Sequence, residues 1–255
     1  MAGHFLSELT WLRARELLLP DTLVLIPLGA GAKEHGPHLR LDNDRVLADY
    51  FARRLAELAD VVVAPTIAYH YYPAFAEYPG STSLRLETAR DLVVDIVESL
   101  AAFGPRRFYV LNTGVSTVRP LQLAAECLHR RAILLRYTEM RVAGADAVAA
   151  VKQQEGGTHA DEIETSMMLY IAPESVDMRK AAKDYRPGSG SLTPRSDGEG
   201  IFSPTGIYGD ATLATAEKGR LVVEAMVRDM LADIDSLRKT ALPYISNRAT
   251  NRKRF

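Results

Sequence analysis

The stretch GAGAKEHGPHLRLDND, Gly29 to Asp44, gathers Lys33, Glu34, His35, His38, Asp42 and Asp44 into one turn after the apolar run Thr22 to Leu28. Imidazole and carboxylate together are ligand types for zinc, manganese or iron. Gly36-Pro37 forces a bend within the run. The competing reading is a polar loop with a helix-capping aspartate. Lys33, a cation amid metal-ligand types, needs an account of its own. A second stretch, GGTHADEIETS, carries His159, Glu162 and Glu164. His159 and Glu162, three residues apart, share a face if both are helical. Glu164 converges on His159 only if the histidine lies in the loop before the helix. A capped helix with a solvated acidic first turn, favoured by the macrodipole, is the competing reading here.

The remaining polar candidates carry less. His70 sits with Tyr71, Tyr72, Phe75 and Tyr78 in AYHYYPAFAEYPGSTSL, either the wall of a substrate pocket or an aromatic satellite core. Cys127 and His129 lie on or just after an apolar helix and read as structural, and His4 as incidental. GAGAKEHG lacks the Gly-Lys-Ser/Thr of a nucleotide phosphate loop, and no Gly-x-Ser-x-Gly nucleophile elbow occurs.

Short apolar runs alternating with amphipathic stretches must position these residues. Thr22 to Gly29, Val61 to Thr66, Arg107 to Asn112 and Ala132 to Tyr137 read as buried strands. Helical spacing marks Val46, Leu47, Tyr50, Phe51, Leu55 and Leu58, with Asp42 or Asn43 as N-cap. It marks Leu92, Val93, Ile96, Val97 and Leu100, ending at Gly104-Pro105, and a stretch near Arg119 to His129. Asp161 to Ala172 reads as a helix that Pro173 ends. Tyr185 to Gly209 is rich in Gly, Pro and Ser and reads as a long loop, after which Asp210 caps a closing helix. Strand and helix in alternation predict a mostly parallel sheet with helices on both faces, in one domain over residues 1–255. Ligands of such sheets collect beyond the carboxyl ends of the strands, where the turns after Leu28, Leu111 and Tyr137 fall.

Bulk properties bound the function. With 31 basic against 32 acidic residues, the net charge of −1 offers no footprint for nucleic acid. A single cysteine excludes an intrachain disulfide and a cysteine zinc site. MAGHFLSELT is unlike a signal peptide, and no apolar run reaches the roughly 18 residues of a membrane span. A cytoplasmic protein with no membrane partner is expected.

HGPHLRLDND (His35 to Asp44), EYPGSTSL (Glu77 to Leu84), HADEIETSMML (His159 to Leu169) and GIYGDATLATAEKG (Gly206 to Gly219) together resemble the creatininase family of metal-dependent amidohydrolases. The resemblance covers nearly the whole chain. It implies a three-layer α/β/α sandwich, usually assembled into homo-oligomers, typically hexamers. It also implies two divalent metals at the carboxyl edge of the sheet and hydrolysis of amide-type C–N bonds in small molecules. Carried over, the family's first-motif histidine falls on His35 and its metal-bridging aspartate on Asp44. The leading Glu ligand falls on Lys33. One extra residue between Pro27 and His35 lets the loop bulge and offer Glu34 instead. The family's Asn-Gly-His-Gly-Gly-Asn turn falls on Asn112 to Thr117, where the histidine ligand has become Gly114 and Ser116 stands at a second-metal position. The catalytic histidine falls on His159 and its partner on Glu164.

One metal position has thus lost two protein ligands. The resulting expectation is that Lys33 replaces one cation, neutralising Asp44 and polarising a substrate oxygen. One zinc, manganese or iron ion, or none, would remain, held by His35, Asp44 and Glu34. His159 would act as general acid or base, oriented by Glu164. Asn112, Ser116, Tyr71, Tyr72, Phe75 and Tyr78 would contact a lactam, formamide or urea-like substrate, with backbone amides of Asn112 to Ser116 stabilising an oxyanion. Two alternatives stand beside this: a metal-independent enzyme using Lys33 and His159, and a non-catalytic relative that binds a small ligand.

Overall fold

The computed structural model describes residues 3–243. Five parallel strands form the central sheet: β1 (His4–Phe5), β2 (Leu23–Leu28), β3 (Val62–Val63), β4 (Arg107–Asn112) and β5 (Leu134–Tyr137), in the order β1-β3-β2-β4-β5. The helices are α1 (Trp11–Leu17), α2 (Asn43–Leu58), α3 (Leu86–Ala101), α4 (Val118–His129), α5 (Ala145–Val151), α6 (Glu162–Ile171) and α7 (Ala216–Lys239).

The two-residue side-chain period of a strand sorts the core into two layers. Leu23 and Leu25 of β2, with Tyr109 and Leu111 of β4, face one way, against Phe51 and Leu55 of α2 and Val222 and Met226 of α7. Val24, Ile26 and Leu28, with Phe108 and Val110, face the other way, against Val93 and Val97 of α3 and Leu121 and Leu128 of α4. Both faces are covered, so β2 is apolar throughout rather than alternating. The sheet with its two helical layers is the expected α/β/α sandwich.

Several boundaries differ from expectation for local reasons. The second apolar run, Val61 to Thr66, enters the ladder only at Val62 and Val63, because Pro65 has no N–H to give. Pairing resumes beyond it, with Ile67 donating to the Pro27 carbonyl at 2.9 Å. β5 starts at Leu134 because Ala132 takes a left-handed φ of 56° in the turn leaving α4. Asp42 does not cap α2 with its side chain, which instead holds Arg40 and Arg45. Asp210 caps a one-turn 3-10 segment, Ala211–Leu213, and Thr215 caps α7 by accepting from the Lys218 amide. α1 and α5 have no counterpart in the sequence expectations, since seven residues are too few to display a helical period.

The Gly/Pro/Ser-rich stretch is tied down at several points. Its flanks form β6 (Lys183–Asp184), antiparallel to β9 (Gly209–Asp210). Inside it β7 (Leu192–Thr193) runs parallel to β8 (Ile201–Phe202). Tyr208 pairs by its backbone with His159, which brings this stretch to the carboxyl end of the sheet. No helix among the described residues is long and apolar enough to cross a membrane.

Candidate active site

The chain leaves β2 at Leu28 and folds back on itself before entering α2. The Lys33 amide donates to the Leu41 carbonyl at 2.9 Å, and the Arg45 amide to the Ala30 carbonyl at 3.1 Å. Gly29 makes this approach feasible, because a Cβ there would run into the backbone of Asp44. Gly36 adopts φ +69° at the bend. The loop thereby sets Lys33, His35 and Asp44 side by side, each under a tenth exposed.

Their contacts define the charge of the site. Lys33 Nζ lies 2.7 Å from Asp44 Oδ2. The same ammonium stands over the rings of Phe75, at 4.8 Å, and Tyr72, at 5.8 Å, whose faces favour a cation. His35 Nδ1 donates to the Lys33 carbonyl at 2.8 Å. Its Nε2 is therefore free to face Asp44 Oδ1, at 2.8 Å, and Glu164 Oε1, at 3.4 Å. Burial and Lys33 both oppose a charge on His35; Asp44 and Glu164 outweigh them and raise its pKa to about 9. Burial would raise the Asp44 pKa, but Lys33 and His35 hold it below the usual carboxylate range. Glu164 is pushed up by burial and, more strongly, down by His35, His159 and Lys33.

The second half of the site comes from the chain before α6. Asp161 is the N-cap, accepting from the amides of Ile163 and Glu164 at 3.0 Å each. His159 therefore lies in the loop, which is the condition under which it meets Glu164: Nδ1 is 3.8 Å from Glu164 Oε2. Glu164 Oε2 also accepts from the Ala160 amide at 2.7 Å, and its Oε1 from Asn43 Nδ2 at 3.1 Å. His35, His159 and Glu164 offer ligand atoms within 4.8 Å of one another. The two imidazole rings have centroids 5.0 Å apart.

Glu34, expected beside His35 as a ligand, is turned elsewhere. Its Oε2 is 3.1 Å from His159 Nε2, and its Oε1 accepts from the Gly36 amide. Gly206, at φ +78°, closes the other side, where a Cβ would run into the Glu34 carboxylate. His38 stands apart from the cluster, with Nε2 2.8 Å from Thr165 Oγ1. Burial pushes its pKa down to about 4.

The expected substrate contacts divide. Phe75 packs on His159 at a centroid distance of 4.1 Å, and Phe75 and Ser116 line the cavity described below. Ser116 Oγ donates to the Tyr71 carbonyl at 3.0 Å, so Tyr71 meets this turn through its backbone. Tyr72 lies beneath Lys33 and is 1% exposed. The Tyr78 hydroxyl donates to the Ser203 carbonyl at 2.7 Å, which ties it to the wall rather than the space. Asn112 is wholly buried and spends its amide on the turn, donating to the Gly114 and Thr138 carbonyls and accepting from the Gly114 amide and Thr117 Oγ1. Gly114 N–H and Thr113 N–H, the latter bonded to the Leu28 carbonyl, are thus not free for an oxyanion. His70 donates from Nε2 to the Ala89 carbonyl at 3.1 Å inside the aromatic cluster.

Beside these groups opens a cavity of about 800 Å³, with Lys33, His159 and Glu164 on its inner side. The apolar side chains that also line it, from Met140 to Met226, were not foreseen as site residues. In sequence, Val222 and Met226 are indistinguishable from the core stripe of α7, and α5 was not seen at all. Asn43, foreseen only as a cap, also belongs here through Glu164. No signal in the sequence marks it.

Residues 7–234 match the Creatininase family, described as creatinine amidohydrolase. The chain is 32% identical over 230 residues to a mycofactocin precursor peptide peptidase of Mycobacterium ulcerans, covering 85% of this chain and 86% of that one. It is 27% identical over 246 residues to the creatinine amidohydrolase of Pseudomonas putida, covering 88% and 93%. A solved manganese form of creatininase superposes with a TM-score of 0.77 at 25% identity, covering 92% of this chain and 99% of that one. With the extent of the match, the relatives and the fold in agreement, this chain belongs to the creatininase family.

Proposed function

We propose that the protein hydrolyses an amide-type C–N bond of a small molecule at a site built for one divalent metal, with Lys33 standing where a second cation would be. The relatives, named as hydrolases, support the reaction class. The observation that carries the proposal is the buried Lys33–Asp44 pair, at 2.7 Å, beside the converging His35, His159 and Glu164. Imidazole and carboxylate donors suit zinc, manganese or iron. His35 Nε2 and Glu164, with Asp44 Oδ1 adjacent, would hold the ion. When bound, it would polarise the carbonyl and acidify a water.

The chain's own groups do the rest. Lys33 neutralises one oxygen of Asp44 and sets a fixed positive charge at the cavity, where carbonyl oxygen gains negative charge during attack. His159 reaches the cavity with its Nε2 side on Glu34, and delivers a proton to the departing nitrogen. Glu34, fixed by Gly36 and Gly206, orients that ring. Glu164 accepts from Ala160 and Asn43 and so holds the second loop against the first. Phe75 packs on the His159 ring and under the Lys33 ammonium and so fixes both at the cavity wall.

Elemental analysis of the purified protein, paired with hydrolysis of a panel of lactams, formamides and ureas, tests this. One tightly bound metal per chain is expected, together with activity that His159→Ala removes. A Lys33→Glu variant should bind additional metal. Two tightly bound metals in the wild type would overturn the assignment of Lys33. Full activity without metal would favour acid–base chemistry by Lys33 and His159 instead.

A further inference from the structure

The cavity is far larger than the polar cluster needs. At about 800 Å³ it falls among sites that enclose molecules of drug size, about 300–1,000 Å³. Besides Lys33, His159 and Glu164 its lining includes an apolar group, Met140, Val148 of α5, Ile163 and Met167 of α6, and Val222 and Met226 of α7, with the exposed Arg141 and Lys152 beside them. All six belong to the hydrophobic cluster that backs the sheet: Met167, Val222 and Met226 are buried within it, and Met140, Val148 and Ile163 are the half-buried side chains that present its edge to the space.

The wall is built rather than slack. The Gly144 amide donates to Asp229 Oδ2 of α7 at 2.9 Å. Gly144 holds φ +70°, and a Cβ on it would come 2.8 Å from Met226 Cγ. The segment carrying Met140 and α5 is thereby seated directly on α7. Leaving the half-buried edge of Met140, Val148 and Ile163 uncovered forgoes the free energy of filling it. Met140 on that edge, backed by the buried Met167 and Met226, gives it a compliant face, suited to chains of variable shape.

We infer that the substrate has two parts: the scissile amide at Lys33, His159 and Glu164, and an apolar arm, alkyl or aryl, lying along the wall from Met140 to Met226. The arm, rather than a compact polar ring, supplies most of the recognition. This rests on the proposed hydrolase reading for its first part only.

Straight-chain carboxylates from acetate to octanoate, as probes of the acyl half of a product, test the arm by calorimetric titration into the purified protein. Affinity should rise about three- to fourfold for each added methylene until the wall is filled. Val148→Phe, at a half-buried position, should flatten the upper part of the series and leave acetate unchanged. Ala145→Phe, at an exposed position of the same lining, should do the same and guards against a misfolded first variant. A series that is flat in the wild type, or unchanged in both folded variants, would overturn the inference. Chain-length dependence without any amide hydrolysis would support the arm and sink the hydrolase reading; hydrolysis with a flat series would do the reverse.

Discussion

His35 and His70 are both buried histidines with opposite responses to pH. His35 has its folded pKa raised from 6.5 to about 9, where the carboxylates of Asp44 and Glu164 win against burial and Lys33. In metal-free protein its contribution to stability is complete below 6.5 and is lost as pH rises through about 9. On the proposed reading a metal at His35 has to displace that proton, so apparent affinity should fall as pH drops below about 9 and level off above it. Zinc titrations against a competing chelator from pH 6 to 10 read this directly; an affinity independent of pH would refute it. His70 is shifted down to about 4 by burial, against a smaller upward push from its bond to the Ala89 carbonyl. It contributes fully above 6.5, and stability declines as pH falls from there to about 4, by about 3 kcal/mol. Denaturant titrations of His70→Gln should show a shallower acid slope over that window. Gly206→Ala tests the cradle of Glu34. The added Cβ should cost about 1–2 kcal/mol through its left-handed φ and remove most activity by displacing Glu34 from His159.

Elements decide which of these residues can meet. Asp161 caps α6 and so fixes both where the helix begins and where Glu164 points. Asp161→Ala should cost about 1–2 kcal/mol in urea denaturation and lower metal affinity, while Asp161→Asn keeps the cap through its amide oxygen, loses only the bond that Oδ2 accepts from Gln154 Nε2, and should show a smaller loss of both. Equal loss in the two variants would assign Asp161 another role. The strands were legible as apolar runs and the long helices by their period, since burial on both faces and on one stripe writes itself into composition. Pro65 shortened β3 through a missing donor that the β-branched run concealed. The extra residue before His35 was visible, but its consequence was not: Glu34 turned to His159, because the bend at Gly36 and the space at Gly206 are set by a segment far along the chain. The meeting of His159 and Glu164 depended on one boundary, the N-cap at Asp161, that spacing alone left open.

On the scale of the whole molecule, the loops after β2 and β4 meet at the carboxyl ends of those strands, and a metal held there, as proposed, would couple to global stability. At a free metal concentration 100 times the dissociation constant, the native state gains about 2.7 kcal/mol. For a chain of this size that corresponds to roughly 5–11 °C in Tm. Chelation followed by differential scanning should remove that increment and readdition restore it; an unchanged Tm would contradict a resident ion. The two halves of the site differ in how far the chain must travel to build them. His35 and Asp44 are nine residues apart, whereas the Glu34–His159, Asn43–Glu164 and His38–Thr165 contacts span 125, 121 and 127 residues. Closing such long loops carries an entropic cost that local pairs escape. During refolding, Lys33, His35 and Asp44 should assemble with α2 on β2 well before α6 docks. A metal-sensitive dye would then report the last step of folding, and the site would act as a clock for the completed chain.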